Sequence, residues 1–114
     1  MSEHEDLVKR LREFSDARKW GQFHSPKNLA MALSAEVGEL LEHFQWLTEV
    51  ESKHLEVSSL ESVSLEMADI FLYLLRLSDV LGVDLVTAAK KKIEINNKKY
   101  PVETSYGSKK KHSG

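Results

Sequence analysis

Apolar residues recur at spacings of three and four along most of this chain, the period of an amphipathic helix and not of a strand. Leu7, Val8, Leu11 and Phe14 form the first such stripe and predict a helix from Glu3 to Lys19. The pattern breaks at Trp20-Gly21-Gln22-Phe23-His24. Ser25-Pro26 then supplies an N-cap hydroxyl and a proline at the first helical position, where its missing N–H costs nothing. The second helix is expected to reach Leu47, followed by a polar, acidic connection from Thr48 to Ser58. Ser58 with Glu61 has the spacing of a capping box for a third helix ending at Leu81, ahead of Gly82. Asp84 caps a fourth helix, which stops before Pro101 because proline disfavours helical geometry in the residue preceding it.

These elements predict an all-α chain, a small four-helix bundle over residues 1–102, with 103–114 as a flexible basic tail. So small a core is expected to be completed by dimerisation. Five glycines and two prolines in 114 residues are too few for an all-β protein built on turns. Cysteine is absent, which excludes disulfides, thiolate zinc sites and cysteine nucleophiles. No apolar run is long enough to span a bilayer, and acids stand where a secretory signal would be greasy. The expectation is a soluble, cytoplasmic protein with no membrane partner.

The net charge of −2 hides a separation along the chain. Ser34 to Asp69 holds nine acids and one base, whereas Lys90 to Lys111 holds eight lysines and two acids. An acidic centre beside a basic end suits a small polyanion carried with its own metal cation. A nucleic-acid polymer is disfavoured, since the basic run is short and lacks interleaved aromatics.

Four acids stand where apolar residues belong. On a wheel of about 100° per residue with Glu36 at zero, Leu29 and Leu47 fall at about +20°, Leu40 at about +40° and Glu39 at about −60°. With Glu66 at zero, Leu77 falls at about +20°, Ile70 at about +40°, Tyr73 at about −20° and Asp69 at about −60°. Both middle helices thus carry an E-x-x-[E/D] pair beside the stripe that faces the bundle interior. Clustered carboxylates are costly to bury and raise one another's pKa. Either bases pair with them, for which the middle helices supply only Arg76 between Asn28 and Leu81 and the fourth helix Lys90 to Lys92, or a divalent cation does. Hard oxygen donors without a thiol suit Mg²⁺ or Mn²⁺. Di-iron is disfavoured, because bundle di-iron sites use Glu-x-x-His and no such register occurs at these acids.

The run Ala35-Glu36-Val37-Gly38-Glu39-Leu40-Leu41-Glu42-His43-Phe44-Gln45-Trp46, followed by Glu66-Met67-Ala68-Asp69, resembles the E-x-x-E…E-x-x-D signature of the all-α nucleoside triphosphate pyrophosphohydrolases, the MazG-like superfamily. The segments Trp20 to Leu29, Phe44-Gln45-Trp46 and Lys92 to Pro101 look like its dCTP pyrophosphatase branch, so the likeness runs from Phe14 to Pro101. The resemblance implies a four-helix bundle assembled as a homodimer or homotetramer. It also implies Mg²⁺-dependent cleavage of a nucleoside triphosphate to monophosphate and pyrophosphate. Glu36, Glu39, Glu66 and Asp69 match the family's metal ligands, with Glu36 or Glu39 as the catalytic base for water. Trp20 and Trp46 match aromatic residues that hold the base; Tyr73, Lys92 and Asn96 match residues near sugar and phosphates, and His24 is a further substrate-binding candidate. Relatives in the animal branch carry histidine where this chain has Leu11, which weakens the expectation of strict deoxycytidine preference. Two alternatives follow: a broader or noncanonical nucleotide range, or a non-enzymatic helical dimerisation module.

Overall fold

The computed structural model describes residues 1–107, and all regular structure among them is helical. Helix α1 (Glu3–Ala17) is capped by Ser2, whose side chain accepts from the Glu5 N–H, with Glu3, Glu5 and Asp6 at the positive end of the helix dipole. It ends two residues before Lys19, which takes a left-handed conformation (φ 54°) and turns the chain into a single 3-10 turn, Trp20–Phe23. Helix α2 (Pro26–Glu42) begins as expected, with Ser25 accepting from the Asn28 N–H and proline in the first turn.

Two boundaries differ from expectation. Helix α2 stops at Glu42 and not at Leu47: the chain tightens there into turns, His43 N–H donating to the Leu40 carbonyl at 3.1 Å and Phe44 N–H to that of Leu41 at 2.9 Å, and Thr48 and Glu51 then close a reciprocal capping box. Thr48 N–H donates to Glu51 Oε1 at 2.9 Å and Glu51 N–H donates to Thr48 Oγ1 at 3.1 Å. That pair holds Thr48 extended and starts the one-turn helix α3 (Glu49–Ser52) inside the expected connection. Helix α4 (Val57–Leu81) starts one residue before Ser58, so Ser58 and Glu61 form no cap. The extended residue Glu56 ends the connection, and its carbonyl accepts from the Leu60 N–H at 2.8 Å. Gly82 closes α4 with φ 69°, a conformation that favours glycine.

The chain divides into two compact units after Gly82. In the first, α2 against α4 is the dominant pairing, and α1 packs on α4 and on the 3-10 turn. Leu29 of α2 with Val63 and Leu75 of α4 form the buried apolar core, joined by Ser15 and Ser78. The Ser78 hydroxyl donates to the Leu75 carbonyl at 2.7 Å, which removes the cost of burying it. In the second unit, α5 (Leu85–Lys99) is capped by Asp84, which accepts from the Thr87 N–H. It ends at Tyr100 before Pro101, as expected, and one further turn, α6 (Val102–Ser105), follows. The rest of the expected basic tail, 108–114, lies outside the described residues.

This core is thin for so many apolar side chains. On α2 and α4, Met31, Leu41, Leu65 and Met67 are each more than half exposed. Leu75, with no exposed surface, carries a large share of the stability of the first unit. Leu75→Ala is therefore expected to cost about 2–5 kcal/mol. Urea unfolding checks this: the midpoint should fall with the slope unchanged, and a loss under about 1 kcal/mol would contradict tight packing at the α2–α4 seam.

Candidate functional site

The antiparallel run of α2 and α4 brings three of the four singled-out acids together. One carboxylate oxygen from each of Glu36, Glu39 and Glu66 lies within 4.8 Å of the other two. Glu36 and Glu66 are half-buried, and Glu36 Oε2 and Glu66 Oε1 are cut off from solvent without a hydrogen-bond partner. Asp69 follows Glu66 by one helical turn and stands outside this tight group. Among the described residues none of the three glutamates forms a salt bridge. Arg76, the one arginine or lysine of α4, is occupied by Asp79, His24 and Ser15.

Packing carboxylates this closely has an electrostatic consequence. The adjacent Glu36 carboxylate, to which only a protonated Glu66 could donate, then burial, then the proximity of Glu39 push Glu66 up to about 8. The neutral acid is favoured because it can donate to its neighbours, whereas a third negative charge would face two others. A divalent cation removes the same conflict by another route. The donor set is hard oxygen only, and two of its oxygens are buried and unsatisfied, which fits such an ion.

One turn further along α4 a cavity of about 460 Å³ opens, within the roughly 300–1,000 Å³ of sites that take a small molecule. Leu7, Leu11, Phe14 and Leu29 give it apolar walls, and Trp20 and Tyr73 give it aromatic ones. Phe14 and Trp20 meet edge-to-face with ring centroids 5.5 Å apart. Asp69, His24, Ser15 and Arg76 supply polar atoms. The carboxylate cluster and the cavity thus meet along one face of α4, from Glu66 through Asp69 to Tyr73.

Of the residues expected to touch substrate, Trp20, His24 and Tyr73 line this cavity, and so does Leu11. Trp46 stands 86% exposed in the turn after α2 and is not among the lining residues. Lys92 and Asn96 lie four residues apart on α5, in the second unit, with Lys92 exposed and Asn96 half-buried. Sequence reasoning missed Ser15 and the pairing of Arg76. Nothing local announces them, because Arg76 meets His24 and Ser15 from 52 and 61 residues away.

The chain is 40% identical over 111 residues to dCTP pyrophosphatase 1 of Homo sapiens, covering 96% of this chain and 65% of that protein. It is 42% identical over 106 residues to dCTP pyrophosphatase 1 of Bos taurus, covering 91% and 63%. The chain therefore spans just under two thirds of the length of these curated relatives. A crystal structure of a pyrophosphatase from Archaeoglobus fulgidus superposes with a TM-score of 0.78 at 43% identity, covering 89% of this chain and 94% of that one. The model of the MazG-like family matches residues 31–114, a span that contains all four carboxylates of the signature. By its fold, its carboxylate pattern and these matches, the chain belongs to the MazG-like family.

Proposed function

We propose that this chain is a Mg²⁺-dependent nucleoside triphosphate pyrophosphohydrolase that converts dCTP, or a modified dCTP, to the monophosphate and pyrophosphate and so cleanses the nucleotide pool. The observation that carries the reading is the unpaired glutamate cluster one helical turn from an aromatic-walled cavity. The names of the curated relatives and of the Archaeoglobus fulgidus structure support it.

Glu36, Glu39 and Glu66, with Asp69 beside them, would hold the Mg²⁺, with Mn²⁺ as a substitute. When bound, the cation supplies neutralisation of the triphosphate charge and a more acidic water. Glu36 or Glu39 orients the attacking water and takes its proton. Water adds across the bond between the α- and β-phosphoryl groups, and pyrophosphate leaves. Trp20 holds the base against the apolar wall, Tyr73 stands by the sugar and phosphates, and His24 adds a polar contact. Trp46, Lys92 and Asn96 are assigned to substrate by their match to the family pattern, Lys92 as a charge for the departing pyrophosphate. Leu11 in the cavity wall favours a second reading of the same chemistry, a broader or noncanonical nucleotide range, since an apolar wall selects weakly among bases. The exposed apolar side chains of α2 and α4 support a homodimer or homotetramer. No helix among the described residues is long and apolar enough to cross a membrane, and a cytoplasmic enzyme fits the proposed substrate.

Product analysis tests the activity. Purified protein with dCTP, dTTP, dUTP or dATP should release monophosphate and pyrophosphate in Mg²⁺ and not in EDTA, and Glu39→Gln should lower kcat by about 10²-fold or more. Turnover of none of them by folded protein, or turnover untouched in Glu39→Gln, would contradict the proposal.

Thermal unfolding tests the cation. Glu66 sits at about 8 in the folded chain against an ordinary 4.5, so the folded state holds a proton that the unfolded state gives up. Stability from this group is full below about 4.5 and is lost as pH rises toward about 8. The metal-free Tm should therefore fall across that window, and the fall should be smaller in Glu66→Gln. Millimolar Mg²⁺ should restore the wild-type Tm at the alkaline end. A metal-free Tm flat with pH, and unmoved by Mg²⁺, would contradict a crowded cation site.

A further inference from the structure

Behind His24, at the edge of the cavity, runs a polar network whose other members have no part in the chemistry above. Arg76 donates from Nε to His24 Nδ1 at 3.1 Å, from Nη2 to Ser15 Oγ at 3.3 Å and from Nη1 to Asp79 Oδ2 at 3.4 Å. Arg12 on α1 steadies Asp79 from the other side, its Nε donating to Oδ2 at 2.7 Å and its Nη2 to Oδ1. Ser15 is buried, and the side chains of Arg76 and Asp79 are each only 13% exposed. The partners come from α1, the 3-10 turn segment and α4, so the geometry is fixed by tertiary packing.

The direction of these bonds decides a tautomer. A guanidinium has five donors, no acceptor, and no accessible neutral form. The imidazole nitrogen that faces it must therefore be the unprotonated one. Ser15 Oγ lies 3.3 Å from the same Nδ1 and, accepting from Arg76, is free to point its own hydrogen there. A second proton on the ring is opposed as well, because burial and the Arg76 charge both lower the His24 pKa. His24 is thus neutral, with its one proton on Nε2. The ring lines the cavity edge-on to Trp20, with centroids 6.3 Å apart, and Nε2 has no hydrogen-bond partner among the described residues.

We propose that Arg76 is a positioning residue: by occupying Nδ1 it fixes His24 as an Nε2–H donor for an acceptor atom of the nucleoside in the cavity, such as a carbonyl oxygen or unprotonated ring nitrogen of a pyrimidine. The nature of the ligand rests on the nucleotide reading; the tautomer does not. The competing role is purely structural, with Arg76 tying α4 to α1 through Asp79 and Arg12. That role leaves the state of His24 unconstrained.

Long-range ¹H–¹⁵N spectra of the His24 ring at neutral pH, in the free protein, separate the two. Wild type should carry its proton on Nε2 alone, and Arg76→Met should populate the Nδ1–H form. Titration with dCMP and Mg²⁺ should show binding weakened about tenfold in Arg76→Met, the loss of one hydrogen bond to a desolvated group. Arg76→Lys, which keeps a cationic donor toward Nδ1, should recover part of it. In a His24→Ala background, Arg76→Met should add little, because its effect passes through the ring. Should Arg76→Met fail to fold, the wild-type spectrum and Arg76→Lys still decide the matter. A wild-type ring protonated on Nδ1 or on both nitrogens would overturn the proposal, as would independent, additive losses in the double variant. Wild-type protein that binds no dCMP overturns the nucleoside as ligand, and with it the nucleotide reading. A tautomer unchanged in Arg76→Met overturns the positioning role alone.

Discussion

The organising constraint of the first unit is electrostatic: glutamates from α2 and α4 converge beside the apolar seam, and among the described residues no lysine or arginine forms a salt bridge with them. Two of their oxygens are buried without a partner, and one carboxyl is pushed far above its ordinary range. A fold built for stability alone would have placed leucine there, as the neighbouring wheel positions do. The arrangement makes sense when the missing positive charge arrives from outside, which ties stability to the ligand that function requires.

The rest of the unit holds this cluster in register and sets a binding space next to it. Leu29, Val63 and Leu75 lock α2 onto α4, which fixes the spacing between the two E-x-x-[E/D] turns. The left-handed Lys19 ends α1 and swings Trp20 and His24 onto the face of α4 that carries Asp69 and Tyr73. Two arginines of this unit are held apart from the three glutamates: Arg76 and Arg12 are committed to Asp79, whose carboxyl they hold below its usual value. Keeping arginine away from the glutamates preserves their capacity to bind a cation. It also places a fixed donor array behind His24.

Much of this was legible in the sequence because it is local. Helix periodicity, the Ser25-Pro26 start, the Asp84 cap and the Gly82 stop depend on residues within a turn or two of each other. The displaced carboxylates were legible for a related reason, since the angle between Glu36 and the Leu29 stripe follows from counting residues. What failed was the choice between local rivals. Thr48-x-x-Glu51 and Ser58-x-x-Glu61 have the same spacing, and only the first closes a capping box. The Arg12–Asp79–Arg76–His24–Ser15 network was illegible because every link but Arg76–Asp79 and Ser15–His24 joins residues more than fifty positions apart. Trp46 stands exposed and apart from the cavity lining, so its assignment to the substrate rests on the resemblance of its surrounding sequence alone.

The central claim, that the glutamate cluster is a cation site and not a structural oddity, is tested most directly by an anomalous difference map from crystals grown with Mn²⁺. The account predicts a peak among the carboxylates of Glu36, Glu39 and Glu66, within reach of Asp69, and its loss in Glu66→Gln. A map with no peak there, from protein whose three carboxylates remain clustered, would contradict it.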